Sequence, residues 1–142
     1  MLKLNPYVRF NDDKCREAMQ FYKDCIGGGE LTFQTIGESP MAGEMPKEGQ
    51  NKIMHAMLKK DGFELFASDM MRDKAVVGDN VALSINIQNE KDAKAIFDKL
   101  SQGGEVFMPM EKAFWGAIFG VVTDKYGIEW MVNCQIEEPK GQ

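Results

Sequence analysis

The residue in this chain best suited to acid–base chemistry is its single histidine, His55. Imidazole titrates nearer to neutral pH than other side chains, so it can act as a general base or hydrogen-bond a ligand. Asp69, which follows the next apolar run, can accept a hydrogen bond from His55 or cap the local backbone. His55 is therefore the best catalytic candidate. A lone histidine in a strand is commonly structural, however, so the catalytic residue itself stays unknown.

Other signatures of chemistry are missing from the sequence. The chain has an odd number of cysteines, which are widely spaced and form no C-x-x-C pattern. We therefore expect reduced structural thiols at Cys15, Cys25 and Cys134. There is no G-x-S-x-G elbow, P-loop or G-x-G-x-x-G motif. The glycine run at 27–29 follows a predicted helix, so its amides are not aimed at a phosphate. No nucleotide site is predicted.

The elements that must position these residues are contained in an internal repeat. Phe21, Gly27 and Gly28 recur with the same spacing as Phe97, Gly103 and Gly104, and the segment 61–66 is echoed by 126–131. Each half reads as a strand, a helix and three strands. Apolar residues at helical spacing predict the two helices, and glycines end both. Side chains at 11–13 are predicted to cap the first helix, and Asn89 the second.

The repeat gives the domain organisation. We expect a single domain with a first module over about 1–70, a linker over about 70–80, a second module over about 81–135 and a C-terminal tail at 136–142. The first module carries a long connection, Gly37 to Asn51, rich in glycine and proline. A loop of this length is commonly functional or disordered, so both a lid and a disordered excursion stay open.

Composition limits the partners. At 142 residues with 44% apolar residues the chain is large enough to bury a core without disulfides. Its net charge of −5, with no cluster of Lys and Arg, argues against nucleic acid as a partner. No apolar run approaches the roughly 20 residues that span a bilayer, and no signal-peptide pattern is present, so we expect no membrane and a cytoplasmic protein.

Motifs along almost the whole chain resemble a known family. These motifs are Pro6-Tyr7-Val8-Arg9-Phe10, the helix segment 17–22 with Gly27-Gly28, His55-Ala56, Ala67-Ser68-Asp69, Phe114-Trp115-Gly116, and the segment 124–133 that closes with Trp130-Met131-Val132-Asn133. Together they resemble the PhnB-like branch of the vicinal oxygen chelate superfamily, which includes glyoxalase I, extradiol dioxygenases and bleomycin-resistance proteins. The resemblance implies an α+β fold of two βαβββ modules, which form a curled eight-stranded mixed sheet around a cleft, commonly in a homodimer. It leaves open whether the two chains exchange modules.

The resemblance also implies where metal-using relatives place their ligands, on the first and last strand of each module. These positions fall on Tyr7 and Phe66, on Ala82 or Leu83, and on Met131. Phenol, phenyl, alkyl and thioether groups are poor ligands for divalent metals that prefer carboxylates and imidazoles. We therefore expect no metal and no cofactor. Glu64 and Glu129, near two of these positions, are expected to point away from the site.

Without ligands for a metal, the same positions become apolar. The ligand-binding residues suggested by the resemblance are Tyr7, His55, Phe66, Asp69, Trp115, Trp130 and Met131. Such a surface suits a small hydrophobic or planar molecule, although these side chains can equally fill the core. The leading hypothesis is a metal-free binding protein, leaning against an enzyme. The alternatives are a metal-dependent lyase or dioxygenase, an acid/base isomerase that uses His55, and a dimeric interaction protein with a vestigial cleft.

Overall fold

Each half of the chain folds as a strand, a helix and three further strands in the computed structural model, which describes residues 1–136. The elements of the first half are β1 (Tyr7–Phe10), α1 (Cys15–Ile26), β2 (Glu30–Thr35), β3 (Ile53–Lys60) and β4 (Phe63–Asp69). Those of the second half are β5 (Ala82–Asn86), α2 (Glu90–Ser101), β6 (Glu105–Lys112), β7 (Ala117–Thr123) and β8 (Glu129–Gln135). The predicted α+β class and the two βαβββ modules are confirmed.

Hydrogen bonding arranges the eight strands as two mixed sheets of four. The strand order is β1-β4-β3-β2 in one and β5-β8-β7-β6 in the other, so the two modules share one topology. In each sheet the first strand pairs with the last in parallel, and the other pairs are antiparallel. The chain divides into two compact units, Met1–Val76 and Val77–Gln142. Apart from Ile136, the predicted tail lies outside the described residues.

Helix α1 covers one face of the first sheet. Its apolar side chains Cys15, Ala18, Met19, Tyr22, Cys25 and Ile26 are all buried. The strand residues on the same side are also buried, and they are Phe10, Ala56, Leu58, Leu65 and Ala67. Because successive strand residues point to opposite faces, their neighbours in sequence lie on the face that the helix does not cover. We call that uncovered surface the open face of the module.

Helix α2 covers the second sheet in the same way. Its buried residues Ala93, Phe97 and Leu100 lie on the side of the buried strand residues Val122, Trp130, Val132 and Cys134. The predicted cap is confirmed, because the Asn89 side chain accepts a hydrogen bond from the Asp92 amide at 3.0 Å. Neither helix in the described part of the chain has the length and apolar character needed to cross a bilayer.

The predicted capping of α1 by residues 11–13 is wrong. Asp12 and Asp13 have left-handed backbones with φ of 57° each, and the N-cap residue is Lys14, whose side chain makes no capping bond. The first helical amide, that of Cys15, donates instead to the Asp69 carboxylate at 2.9 Å. The cap therefore comes from the end of β4, which is distant in sequence.

The long connection of the first module is an ordered loop. It contains three short 3₁₀ turns, Ile36–Glu38, Ala42–Glu44 and Lys47–Gly49. The Gln50 side-chain amide donates to the carbonyl oxygens of Ala42 and Met45 at 2.7 and 2.8 Å, which ties the turns together. The alternative of a disordered excursion is therefore wrong, and a role as a lid stays a prediction.

The three cysteines are buried free thiols. Cys15 is the first residue of α1 and has no exposed surface. Burial raises the pKa of the Cys15 thiol from 9.0 to about 12, and the negative charge of Asp69 adds to the effect, while Arg16 opposes it. The protonated thiol is thus the form that the folded core accommodates.

We predict that Cys15 makes the protein sensitive to alkali. The folded thiol keeps its proton to a higher pH than the unfolded thiol, so this contribution to stability is complete below about pH 9 and is lost as the pH rises toward the folded pKa of about 12. Between about pH 8 and about pH 10, the free energy of unfolding should fall by about 1 kcal/mol more in the wild type than in Cys15→Ala. Urea denaturation measures both, and an equal fall in the two proteins would contradict the prediction.

Candidate functional site

Three of the predicted site residues meet on the open face of the first module. Tyr7 on β1, His55 on β3 and Phe66 on β4 all point away from α1. The centroid of the His55 ring lies 6.1 Å from that of Tyr7 and 5.6 Å from that of Phe66. Tyr7 is 42% exposed, and the other two rings are half-buried. The imidazole is therefore flanked by two aromatic rings on a surface that solvent reaches.

The strand register arranges this open face in three rows. One row is polar and contains Arg9, Ser68, His55 and Gln34. The next row is mostly apolar and contains Tyr7, Phe66, Met57 and Thr32. The third row is charged and contains Glu64, Lys59 and Glu30. The surface thus combines an aromatic strip with hydrogen-bonding groups along one side, the combination that small-molecule sites use.

The charged row includes a residue that we expected elsewhere. Glu64 lies two residues before Phe66 on β4, and residues at this spacing share a face, so the expectation that Glu64 points away from the site is wrong. Glu64 forms ion pairs with Lys3 and, at 3.4 Å, with Lys59. The hydrogen bond from Lys3 lowers the pKa of the Glu64 carboxyl, and Lys59 contributes. Glu129 likewise shares a face with Met131 on β8.

Trp115 and Met131 lie on the open face of the second module. The Trp115 indole N–H donates to the Asn133 side chain at 3.3 Å, and the Asn133 amide donates to Asn86 at 3.2 Å. The Trp115 ring also packs edge-on against Phe119 with 5.3 Å between centroids. These contacts hold an indole that is still 41% exposed. Met131 lies between Ser84 and Val121 in the same sheet.

Asp69 and Trp130 lie on the helix-covered faces, away from the residues above. Both Asp69 oxygens accept backbone amides, from Cys15 at 2.9 Å and Ile53 at 2.8 Å, and the residue is buried. Trp130 is 2% exposed, and its indole N–H donates to Asp124 at 2.7 Å. These two residues connect parts of their own modules, and neither presents a free surface to a ligand.

The positions that carry metal ligands in relatives do not suit a metal here. Tyr7 pairs with Phe66 in the parallel register, as the resemblance implies. In the second module Met131 pairs with Ser84, whereas the expected positions Ala82 and Leu83 pair with Glu129 and Trp130. A phenol, a phenyl ring, a hydroxyl and a thioether are a poor donor set for a divalent cation. Within residues 1–136, no three His, Cys, Asp or Glu side chains form a group that could hold a metal.

Some residues of the open faces were not identified from the sequence. Arg9 and Met57 belong to the surface around His55, and Asn86, Asn133 and Phe119 surround Trp115. Strand alternation is the signal that could have identified Met57, because it places Met57 on the face of His55. The asparagines carry no such signal, because their role follows from side-chain contacts between different strands.

Comparison with known proteins identifies relatives over almost the whole chain. Residues 2–133 match the family model described as 3-demethylubiquinone-9 3-methyltransferase. The crystal structure of protein PA1353 from Pseudomonas aeruginosa is 37% identical, with a TM-score of 0.81 over 96% of this chain and 100% of that one. A putative 3-demethylubiquinone-9 3-methyltransferase, PhnB protein, from Bacillus cereus is 23% identical, with a TM-score of 0.74 over 94% and 99%.

The fold extends to the wider superfamily. A glyoxalase/bleomycin resistance protein/dioxygenase from Nocardioides is 14% identical and covers 100% of this chain and 90% of its own, with a TM-score of 0.56. An identity this low shows a common fold and leaves the activity open. The predicted resemblance to PhnB-like proteins is confirmed by the family model and these structures together.

We predict that Trp115 and Trp130 respond differently to solvent. Acrylamide should quench the exposed Trp115 and leave the buried Trp130 almost untouched, because quenching requires collision with the ring. Trp115→Phe should therefore remove the quenchable part of the fluorescence and leave a blue-shifted emission. Stern–Volmer plots of wild type and variant measure this. Unchanged quenching in Trp115→Phe would contradict the placement of these two residues.

Proposed function

The chain belongs to the PhnB-like family, described as 3-demethylubiquinone-9 3-methyltransferase, within the glyoxalase/bleomycin-resistance superfamily, and from that membership we propose that it binds a small hydrophobic or planar molecule without a metal. The observation that carries this function is the contact of Tyr7, His55 and Phe66 on an open face. An accessible aromatic strip beside polar groups supplies both stacking surface and orientation.

The parts of the surface have separate roles in this function. Tyr7 and Phe66 offer the faces and edges of their rings to a planar ligand. Met57 lies on β3, between β2 and β4, and its flexible side chain adapts to the outline of the ligand. The imidazole of His55, which the two rings flank, orients a polar group of the ligand by hydrogen bonding. Trp115 and Met131 are the proposed ligand contacts on the open face of the second module. Asp69 and Trp130 stabilise the fold of their own modules.

Two further properties belong to the same proposal, namely a homodimer and a cytoplasmic location. The feature that favours association is an apolar group on the edge strand β6, where Val106, Phe107 and Met108 are exposed. Exposed apolar groups of this kind commonly contact another chain. A second copy of this chain is the partner that the family resemblance implies.

We predict that a neutral planar probe, 2-naphthamide, binds at the rings of the first module. Phe66→Ala should weaken binding about tenfold, because one stacking surface is lost. The matched control is Phe107→Ala, which removes a ring that is 77% exposed on β6 and should leave the affinity unchanged. Calorimetric titration measures the affinities, and thermal unfolding of each variant shows that it folds. Equal effects of the two substitutions would contradict this site.

Metal content separates this function from the enzymatic alternatives. Elemental analysis of the purified protein, followed by titration with Zn²⁺, Ni²⁺, Mn²⁺ and Fe²⁺, should give no stoichiometric metal and no binding heat. Binding of 2-naphthamide should also persist in EDTA. A tight metal site that disappears in His55→Ala would instead support the lyase or dioxygenase alternative.

A further inference from the structure

We propose that the ligand of the first module's open face is a planar aromatic molecule with one anionic group, and that Arg9 recognises the anion. This inference rests on the binding function proposed above and adds the charge of the ligand. The charge of the ligand is inferred from the distribution of charged side chains on the open face.

Arg9 lies directly beside the aromatic strip. It is on β1, two residues after Tyr7 and on the same face, and pairs with Ser68 on β4. Its guanidinium carbon lies 5.4 Å from the centre of the Tyr7 ring. A guanidinium that rests on an aromatic face can still form hydrogen bonds through its N–H edge. A ligand stacked near Tyr7 is therefore within reach of a fixed positive charge.

The charge of Arg9 is not neutralised within the described residues. Arg9 forms no ion pair with any of residues 1–136. At the other end of the open face, Lys3 and Lys59 are both paired with Glu64. The face thus carries an uncompensated cation at one end only, in a chain whose net charge is −5.

The neighbours of Arg9 are suited to the same anion. Its row continues across the sheet with Ser68, which is buried, and then with His55 and Gln34, which offer an imidazole and an amide. The adjacent aromatic row is two residues along the strands, about 7 Å away. A planar acid can therefore place its ring on the aromatic row and its carboxylate against the polar row. Arginine binds carboxylates through two parallel hydrogen bonds, which fixes the direction of the ligand.

The test compares two probes that differ in charge and share one ring system, 2-naphthoate and 2-naphthamide. Wild type should bind 2-naphthoate about tenfold more tightly than 2-naphthamide, as expected for one charge-assisted contact. Arg9→Gln should abolish this preference, so that the variant binds 2-naphthoate no more tightly than 2-naphthamide. The matched control is Lys59→Gln, which removes a cation of the same face that is already paired, and the preference should persist. Added salt should reduce the preference, because Arg9 is exposed.

The outcomes separate this inference from the function on which it rests. If both probes bind wild type equally, or if Arg9→Gln retains the preference, the assignment of Arg9 is overturned while the aromatic binding site stands. If neither probe binds, the proposed binding function fails and the inference fails with it. A preference lost equally in Lys59→Gln and Arg9→Gln would show a general effect of charge and would also overturn the specific role of Arg9.

Discussion

Each module depends on one constraint, which is that a single helix must bury one face of a four-stranded sheet and leaves the other uncovered. A helix of 12 residues is about 18 Å long and about 10 Å wide, and four strands are about 19 Å across, so one helix covers one face. The core therefore lies between each helix and its sheet. The chemistry available to a ligand is on the opposite side of the same strands.

The buried polar groups belong to the covered side and hold it together. Asp69 connects the start of α1 to β3 through two backbone amides. Asp124 accepts amides of the β7–β8 turn and the indole N–H of Trp130. A buried carboxylate without such partners would lose several hydrogen bonds, which would destabilise the fold. Both aspartates are therefore structural residues. The open faces instead carry groups such as His55, Arg9 and Trp115, whose edges stay accessible.

The fold was largely predictable from the sequence, because it follows from local periodicity and from the repeat. Strand alternation, the glycines that end the helices and the capping residue Asn89 all act within a few residues. The cap of α1 was not predictable in this way, because Asp69 comes from β4 across the sheet. The pairing of Met131 with Ser84 was not predictable either, since the repeat spacing does not fix the strand register.

The candidate site was predictable only in part. The resemblance and strand alternation suggested Tyr7, His55 and Phe66, which the structure brings together. An aromatic residue type was not sufficient to identify a site residue, however, because Trp130 is buried and Trp115 is exposed in the same module. Arg9 belongs to the motif at 6–10 that carries the resemblance, but the sequence assigned it no role in a site. Its significance appears only when the register shows the aromatic strip beside it and the paired lysines at the far end.

The most direct measurement of the central claim, that ligands bind the face opposite the helix, is methionine methyl NMR during a titration with 2-naphthamide. Met57 lies in the aromatic row of the open face, whereas Met19 of α1 is fully buried on the covered face. Ring currents of a bound naphthalene should shift the Met57 methyl signal and leave that of Met19 in place, and Met57→Leu assigns the resonance. Shifts confined to Met19, or saturable binding that moves neither methyl, would contradict binding at the open face of the first module.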